Sequence, residues 1–137
     1  MTSLTRRYRF SAAHVLAREE WSPERNGGVF GKCANPAGHG HNYELLVTVA
    51  GEADRESGML VPARVLDRAV RERVVAKLDG RLLLQGGQGF EDRVPTAENI
   101  ARFAWEALAG RLDRVQLERV RLVETTNNAV EFDGEER

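Results

Sequence analysis

Two long segments of this chain alternate apolar and polar residues, and this pattern constrains the fold more than any other feature. The first covers residues 5–16, and one of its faces carries Tyr8, Phe10, Ala12 and His14. The second begins at residue 39, and one of its faces carries His39, His41, Tyr43, Leu45, Val47 and Val49. A period of two predicts half-buried β-strands, with one face of each strand toward a core.

The segments around and after these strands have other signatures. Residues 17–38 are polar and rich in Gly, Pro and Asn, which predicts a long loop. One stretch of helical periodicity follows Pro62 and stops at Gly80, and a second opens at Pro95 with Thr96 as its N-cap. The apolar positions are Leu66, Val70, Val74 and Leu78 in the first stretch, and Ile100, Phe103, Ala104, Ala107 and Leu108 in the second.

The tail returns to strand patterns. Its apolar residues change parity between Leu117 and Val120, which predicts a β-bulge near Glu118-Arg119. Residues 129–132 are expected to form a short last strand. The order β-β-α-α-β-β predicts an α+β fold, with two helices covering one face of an antiparallel sheet. Since no repeat or linker interrupts the pattern, residues 1–137 are expected to form a single domain.

Composition excludes several function classes. Twenty basic residues against 21 acidic ones leave a formal net charge of -1, which argues against a nucleic-acid-binding protein. No segment approaches the roughly 20 apolar residues that cross a bilayer, and no secretory signal is evident. Cys33 is the only cysteine, so it cannot form an intramolecular disulfide. These features predict a cytoplasmic protein without a membrane or nucleic-acid partner.

The chain has only three histidines, and all of them fall on the predicted long strands. His39 and His41 are two residues apart and therefore project from the same face of a strand. If the two strands pair, His14 can converge with them. Three neutral imidazoles with an open fourth position are the ligand set of a catalytic zinc ion. The alternative is that the three are unrelated polar residues, each satisfied locally.

Two blocks of sequence resemble the zinc motifs of the 6-pyruvoyl tetrahydropterin synthase family. They are Phe10-Ser11-Ala12-Ala13-His14 and the block that runs from Gly31-Lys32-Cys33 through His39-Gly40-His41 to Tyr43. Shorter matches follow in order at Gly58-Met59, Leu78-Asp79, Pro95-Thr96-Ala97-Glu98-Asn99 and Val123-Glu124-Thr125. The resemblance implies a T-fold, whose subunits join their sheets into barrels, usually as a homohexamer of two stacked trimers with active sites between subunits. A barrel also removes the open edges of a small sheet.

The resemblance further implies an enzyme, a carbon–oxygen lyase that expels triphosphate from 7,8-dihydroneopterin triphosphate. Its zinc would be held by His14, His39 and His41, where it binds the side-chain hydroxyls of the pterin and acidifies the adjacent C–H.

Three further residues match functional positions of the family. Cys33 matches the general base, and Glu124 matches the carboxylate that anchors the pterin through two hydrogen bonds, with Thr125 assisting. The structural alternatives are a small buried side chain for Cys33 and a surface glutamate at a strand end for Glu124.

One position departs from the family pattern. Family members commonly carry Asp-His after the first helix, as a second proton-transfer unit, whereas here Asp79 is followed by Gly80. Loss of an acid–base group typically costs about 10²- to 10⁴-fold in the step that it serves. Three explanations of the missing histidine stay open. Water or another side chain takes its place, the reaction stops short of the usual product, or the protein has lost turnover. Asp-Gly is also a common helix end and turn.

Three other functions therefore stay open. A 6-carboxytetrahydropterin synthase uses the same substrate, but such relatives usually have a shorter spacing than the five residues between Cys33 and His39. Relatives that cleave the pterin side chain in an aldolase-like way tend to replace the cysteine, which is retained here. The third alternative is a zinc-dependent pterin-binding protein without turnover, because the histidine is absent.

Overall fold

The structure is a computed structural model that describes residues 1–135. The strands are β1 Thr2–His14, β2 His39–Gly51, β3 Leu82–Leu83, β4 Gln116–Thr125 and β5 Asn128–Phe132. The helices are α1 Pro23–Phe30, α2 Ala63–Val70, α3 Ala76–Leu78 and α4 Ala97–Leu108. A 3₁₀ turn, Gly31–Ala34, follows α1, and a π-helical segment, Arg71–Val75, joins α2 to α3.

The five strands form one sheet in the order β3-β1-β2-β4-β5. β1 and β2 are 13 residues each and pair antiparallel along their whole length, with Tyr8 opposite Leu45 and His14 opposite His39. The apolar face of these strands packs into a core with helix residues such as Ile100. The other face is mostly exposed on β1 and partly covered on β2, where Thr48 is buried. The predicted α+β class, both long strands and both later helices are confirmed.

The segment predicted to be a long loop contains a helix, α1. Ser22 caps it by accepting a hydrogen bond from the backbone N–H of Arg25 at 3.1 Å, and Pro23 occupies its first turn. Serine followed by proline is a helix-start signal, but Gly27 and Gly28 conceal it because glycine disfavours helix interiors. The buried side chain of Asn26 also bonds both the N–H and the carbonyl of Arg18, which holds the segment against the domain.

The sheet is mixed rather than purely antiparallel. β3 pairs parallel to the end of β1, where Ala13 N–H donates to the Arg81 carbonyl at 2.9 Å and Val15 N–H to the Leu83 carbonyl at 3.1 Å. The prediction missed β3 because two residues are too few to show a period. The consequence is that the chain leaving α3 runs beside the strand that carries His14.

The predicted β-bulge is confirmed. Thr48 of β2 pairs with Arg119, whereas its neighbour Val49 pairs with Leu117, which leaves Glu118 as the extra residue. The pairing of β4 with β5 shifts a second time between Val123 and Thr125, which leaves the intervening residue out of the ladder there.

The π-helical segment explains an unusual spacing in the first predicted helix. Its buried residues Leu66, Val70, Val74 and Leu78 recur at every fourth position. In an unbroken α-helix each four-residue step overshoots one turn by about 40°, so three steps would carry Leu78 about 120° around the axis. A π-helical turn takes up an extra residue, and it thereby keeps all four side chains on the core side.

We predict that the protein tolerates deletion of Arg73, an exposed residue of the π segment. The apolar positions then follow the spacing i, i+4, i+7, i+11 of a regular α-helix, so we expect a stability loss of no more than about 1 kcal/mol in denaturant unfolding. Deletion of Arg102 from α4, a regular helix of 12 residues, is the matched control. It turns half of the buried stripe away from the core and should cost about 3 kcal/mol or more. Equal losses in both variants would contradict this role of the π segment.

Candidate metal centre

The register of β1 and β2 brings the three histidines to one end of the sheet. His14 lies opposite His39, and Ala12 lies opposite His41, all on the helix-covered face. His14 is 1% exposed, and the other two histidines are half-buried. One ring nitrogen from each of the three lies within 4.8 Å of the others, so the predicted convergence is found.

The geometry of this group suits a metal ion. Nε2 of His14 and Nε2 of His39 are 3.0 Å apart, and the three rings meet edge to face with centroids 4.6–5.1 Å apart. Ligands about 2.0–2.1 Å from a tetrahedral zinc would be about 3.3–3.4 Å from one another. Nε2 of His41 is buried and has no hydrogen-bond partner among residues 1–135. A buried nitrogen without a partner is costly, and a bound cation would remove that cost.

A backbone carbonyl fixes the orientation of His14. Its Nδ1 lies 2.8 Å from the carbonyl oxygen of Pro95, just before α4, and 3.4 Å from the hydroxyl of Tyr43. We assign the proton to Nδ1, because a carbonyl can only accept, and this leaves the Nε2 lone pair directed at the other histidines. Burial is the main cause that lowers the pKa of His14, which favours the neutral imidazole that a metal requires.

Cys33 and Asp79, the two predicted acid–base residues, lie outside the histidine group. Cys33 is half-buried on the 3₁₀ turn, where its carbonyl accepts a hydrogen bond from Leu16 N–H at 2.8 Å, two residues beyond His14. Asp79 is exposed at the edge of β1, and its Oδ1 accepts from the N–H of Ser11 at 2.9 Å. Ser11 is three residues before His14, or about 10 Å along a strand.

Glu124 lies on the same side of the sheet as the histidines. It is half-buried, and its negative charge partly opposes the lowering of the His14 pKa by burial. Burial is the larger cause that raises the pKa of Tyr43, and the Glu124 carboxylate adds to it. Oε1 of Glu124 accepts a hydrogen bond from Asn128 at 3.2 Å. Thr125 is exposed, and its hydroxyl accepts from Asn127 N–H within the β4–β5 turn.

Two contributors to the site were missed by sequence reasoning. Tyr43 shares the face of His41, with ring centroids 5.5 Å apart, and its parity could have identified it. The Pro95 carbonyl had no sequence signal, because a main-chain acceptor 81 residues from His14 is identified only by the fold.

The helix-covered mixed sheet places this chain in the T-fold class, and the three histidines at the end of its central strand pair could hold a metal ion. The comparisons with known proteins support the fold class. The sequence model of the 6-pyruvoyl tetrahydropterin synthase family matches residues 3–135. The 6-pyruvoyl tetrahydrobiopterin synthases of Pongo abelii and Homo sapiens are 42% and 41% identical to this chain, and each match covers 96% of this chain and 91% of the relative. The chain therefore belongs to the 6-pyruvoyl tetrahydropterin synthase family, a family of lyases.

A solved structure extends this likeness to three dimensions. The 6-pyruvoyl tetrahydropterin synthase of Caenorhabditis elegans is 35% identical and superposes with a TM-score of 0.90, covering 98% of this chain and 96% of that one. Within residues 1–135, none of the helices combines the length and the apolar character that crossing a membrane requires.

The histidine geometry predicts that metal binding stabilises the fold. We expect the thermal unfolding midpoint to rise with added Zn²⁺, since a ligand at 100 times its Kd contributes about 2.7 kcal/mol. The increase should be lost in His39→Ala and His41→Ala, which remove ligands, and retained in Cys33→Ala, whose thiol lies outside the group. An increase that survives His41→Ala, or that disappears in Cys33→Ala, would exclude this ligand set.

Proposed function

We propose that this protein is a zinc-dependent lyase that converts 7,8-dihydroneopterin triphosphate to 6-pyruvoyl tetrahydropterin with elimination of triphosphate. The observation that carries the proposal is the three-histidine group on the paired ends of β1 and β2, within a chain of this family. The pterin substrate and the product are those that the family resemblance implies.

Zinc is the ion that fits the donor set best. Three neutral imidazoles without a carboxylate are typical of catalytic zinc sites, and they leave a fourth position open. When bound, zinc supplies a Lewis acid that polarises the side-chain hydroxyls of the substrate. The protein's own contribution is to hold His14 in one tautomer through the Pro95 carbonyl and to keep that ring buried and neutral.

Cys33 and Glu124 are proposed as the residues that act on the substrate itself. Cys33 is half-buried beside the end of β1, and its thiolate form would accept the proton from the substrate carbon and become the thiol. The carboxylate of Glu124 faces the histidine side of the sheet, and one hydrogen bond from Asn128 leaves it free to accept two from the pterin. The exposed hydroxyl of Thr125 would assist.

Asp79 is proposed as the remaining proton-transfer group, in sites that the family resemblance implies lie between subunits. Within one chain its carboxylate is held at Ser11, which is about 10 Å from His14 along β1. Assembly into a homohexamer of two stacked trimers would allow Asp79 of one subunit to complete the site of another.

The second candidate function is pterin binding without turnover. The observation that favours it is Gly80, which has no imidazole to offer and whose backbone N–H is bound to the Ser11 carbonyl at 2.7 Å. The two candidates bind the same zinc and pterin and differ only in chemistry.

Incubation of zinc-loaded protein with 7,8-dihydroneopterin triphosphate distinguishes these functions. We expect triphosphate release and a pyruvoyl pterin by mass spectrometry, and Cys33→Ala should reduce the rate about 10²- to 10⁴-fold while zinc content is unchanged. A 6-carboxy product with acetaldehyde would instead identify a 6-carboxytetrahydropterin synthase, and a hydroxymethyl product an aldolase-like enzyme. Tight binding of an unchanged pterin would identify a binding protein.

A second experiment restores the missing imidazole. A Cβ at Gly80 would meet nothing within 4 Å, so the Cβ of Gly80→His has room, although the φ of +71° costs about 1–2 kcal/mol of stability. We expect kcat to rise if proton transfer at this position limits turnover. Gly80→Asn is the matched control, because asparagine tolerates this φ but is not a base. Equal kcat values for the two variants would show that position 80 takes no part in the chemistry.

A further inference from the structure

We propose that Asn99 is a positioning residue of the metal centre, which acts on His14 through the Val94–Pro95 turn. This inference rests on the proposed metal site and adds a residue that does not touch the metal or the substrate. It follows from a continuous series of hydrogen bonds between the start of α4 and the buried imidazole.

The series has two links. The side-chain Nδ2 of Asn99 donates to the carbonyl of Val94 at 2.9 Å. The next carbonyl along the chain, that of Pro95, accepts from Nδ1 of His14 at 2.8 Å. The Pro95 carbonyl and the Thr96 N–H belong to one rigid peptide plane. That N–H donates to the Val94 carbonyl at 2.8 Å, so an anchor on the Val94 carbonyl restricts the direction of the Pro95 carbonyl.

The Pro95 carbonyl is available to His14 because α4 does not use it. The first α-helical bond runs from Ile100 N–H to the Thr96 carbonyl, one residue later. Proline has no N–H, so the turn lacks one of the usual main-chain anchors at residue 95. Val94 and Pro95 are both buried, and the Val94 carbonyl accepts two bonds, from Thr96 N–H at 2.8 Å and from Asn99.

Capping of α4 does not account for the Asn99 side chain. Thr96 already caps the helix, since its Oγ1 accepts from the backbone N–H of Asn99 at 3.2 Å. In a capping box the third helical residue reaches back to the N–H of the cap residue. Asn99 instead passes the cap and binds a carbonyl two residues before it. Its side chain thus holds the turn that faces His14, whereas the backbone of the same residue completes the cap.

The orientation of His14 decides where its metal-binding nitrogen points. The ring is 1% exposed and bound at Nδ1, so a shift of the Pro95 carbonyl moves Nε2 relative to His39 and His41. Partners that orient metal-bound histidines typically change metal affinity by about 10- to 100-fold when they are lost. Asn99 acts one hydrogen bond further from the metal, because it anchors the turn whose Pro95 carbonyl orients His14.

The test uses Asn99→Asp, which keeps the size of the side chain but replaces its donor with an acceptor. An aspartate in the first turn of a helix favours that helix, so a loss of metal affinity cannot be ascribed to a weaker α4. Ser22→Ala is the matched control, because it removes the cap of α1. That helix takes no part in the hydrogen bonds that lead from Asn99 to His14. The full-length protein is measured by chelator competition for Zn²⁺, by Co²⁺ absorption and by the nitrogen-15 signals of His14 without metal.

We expect Asn99→Asp to bind Zn²⁺ about 10- to 100-fold more weakly, with altered Co²⁺ absorption and altered His14 signals, while Ser22→Ala matches the wild type in all three. Wild-type affinity and wild-type His14 signals in Asn99→Asp would overturn the role of Asn99 and leave the metal site standing. Equal loss in Ser22→Ala would also overturn it, because a general loss of stability would then explain both. A wild-type protein that binds neither ion would overturn the metal site itself.

Discussion

The antiparallel pairing of β1 with β2 is the constraint on which the rest of the structure depends. Each strand contributes 13 residues to this ladder, and its last pair places His14 opposite His39. If the register of one strand shifted by one residue, its histidines and its core residues would all turn to the opposite face of the sheet. Because Leu45 and Val47 are fully buried on the same face, packing of the core and convergence of the histidines require the same register.

The start of α4 links this core to the metal centre. Ile100 and Ala104 are buried against the sheet and fix the helix in place, so the turn that precedes the helix is fixed as well. That turn provides the carbonyl that holds His14. The candidate metal centre therefore depends on rigid elements on both sides, with strands providing the three histidines and a helix start orienting His14. Such support is what a preorganised site requires.

The elements in which a residue pattern repeats over many positions could be predicted from the sequence. The alternation of apolar and polar residues identified β1 and β2, and the change of parity at Glu118 identified the bulge. Both could be predicted because alternate residues of a strand lie on opposite faces, one buried and one not. The convergence of the three histidines was predicted from parity, on the condition that the two long strands pair. β3 has only two residues, α1 contains two glycines, and the π segment appears only as a four-residue spacing that also resembles an α-helix. The contact between His14 and Pro95 depends on tertiary packing, which a local pattern does not contain.

The departure at Gly80 has a structural explanation in the edge of β1. Asp79 Oδ1 takes the place of a strand carbonyl at Ser11, and Gly80 N–H then donates to the Ser11 carbonyl, so this pair extends the β3 ladder toward the helix. Gly80 has a φ of +71°, which glycine adopts without strain. The positions to which the family resemblance assigns proton transfer thus also hold a strand edge here. Loss of the imidazole leaves that second role intact, because it requires only the carboxylate of Asp79 and the backbone of Gly80. The fold can therefore keep its sheet edge whether or not this position takes part in chemistry.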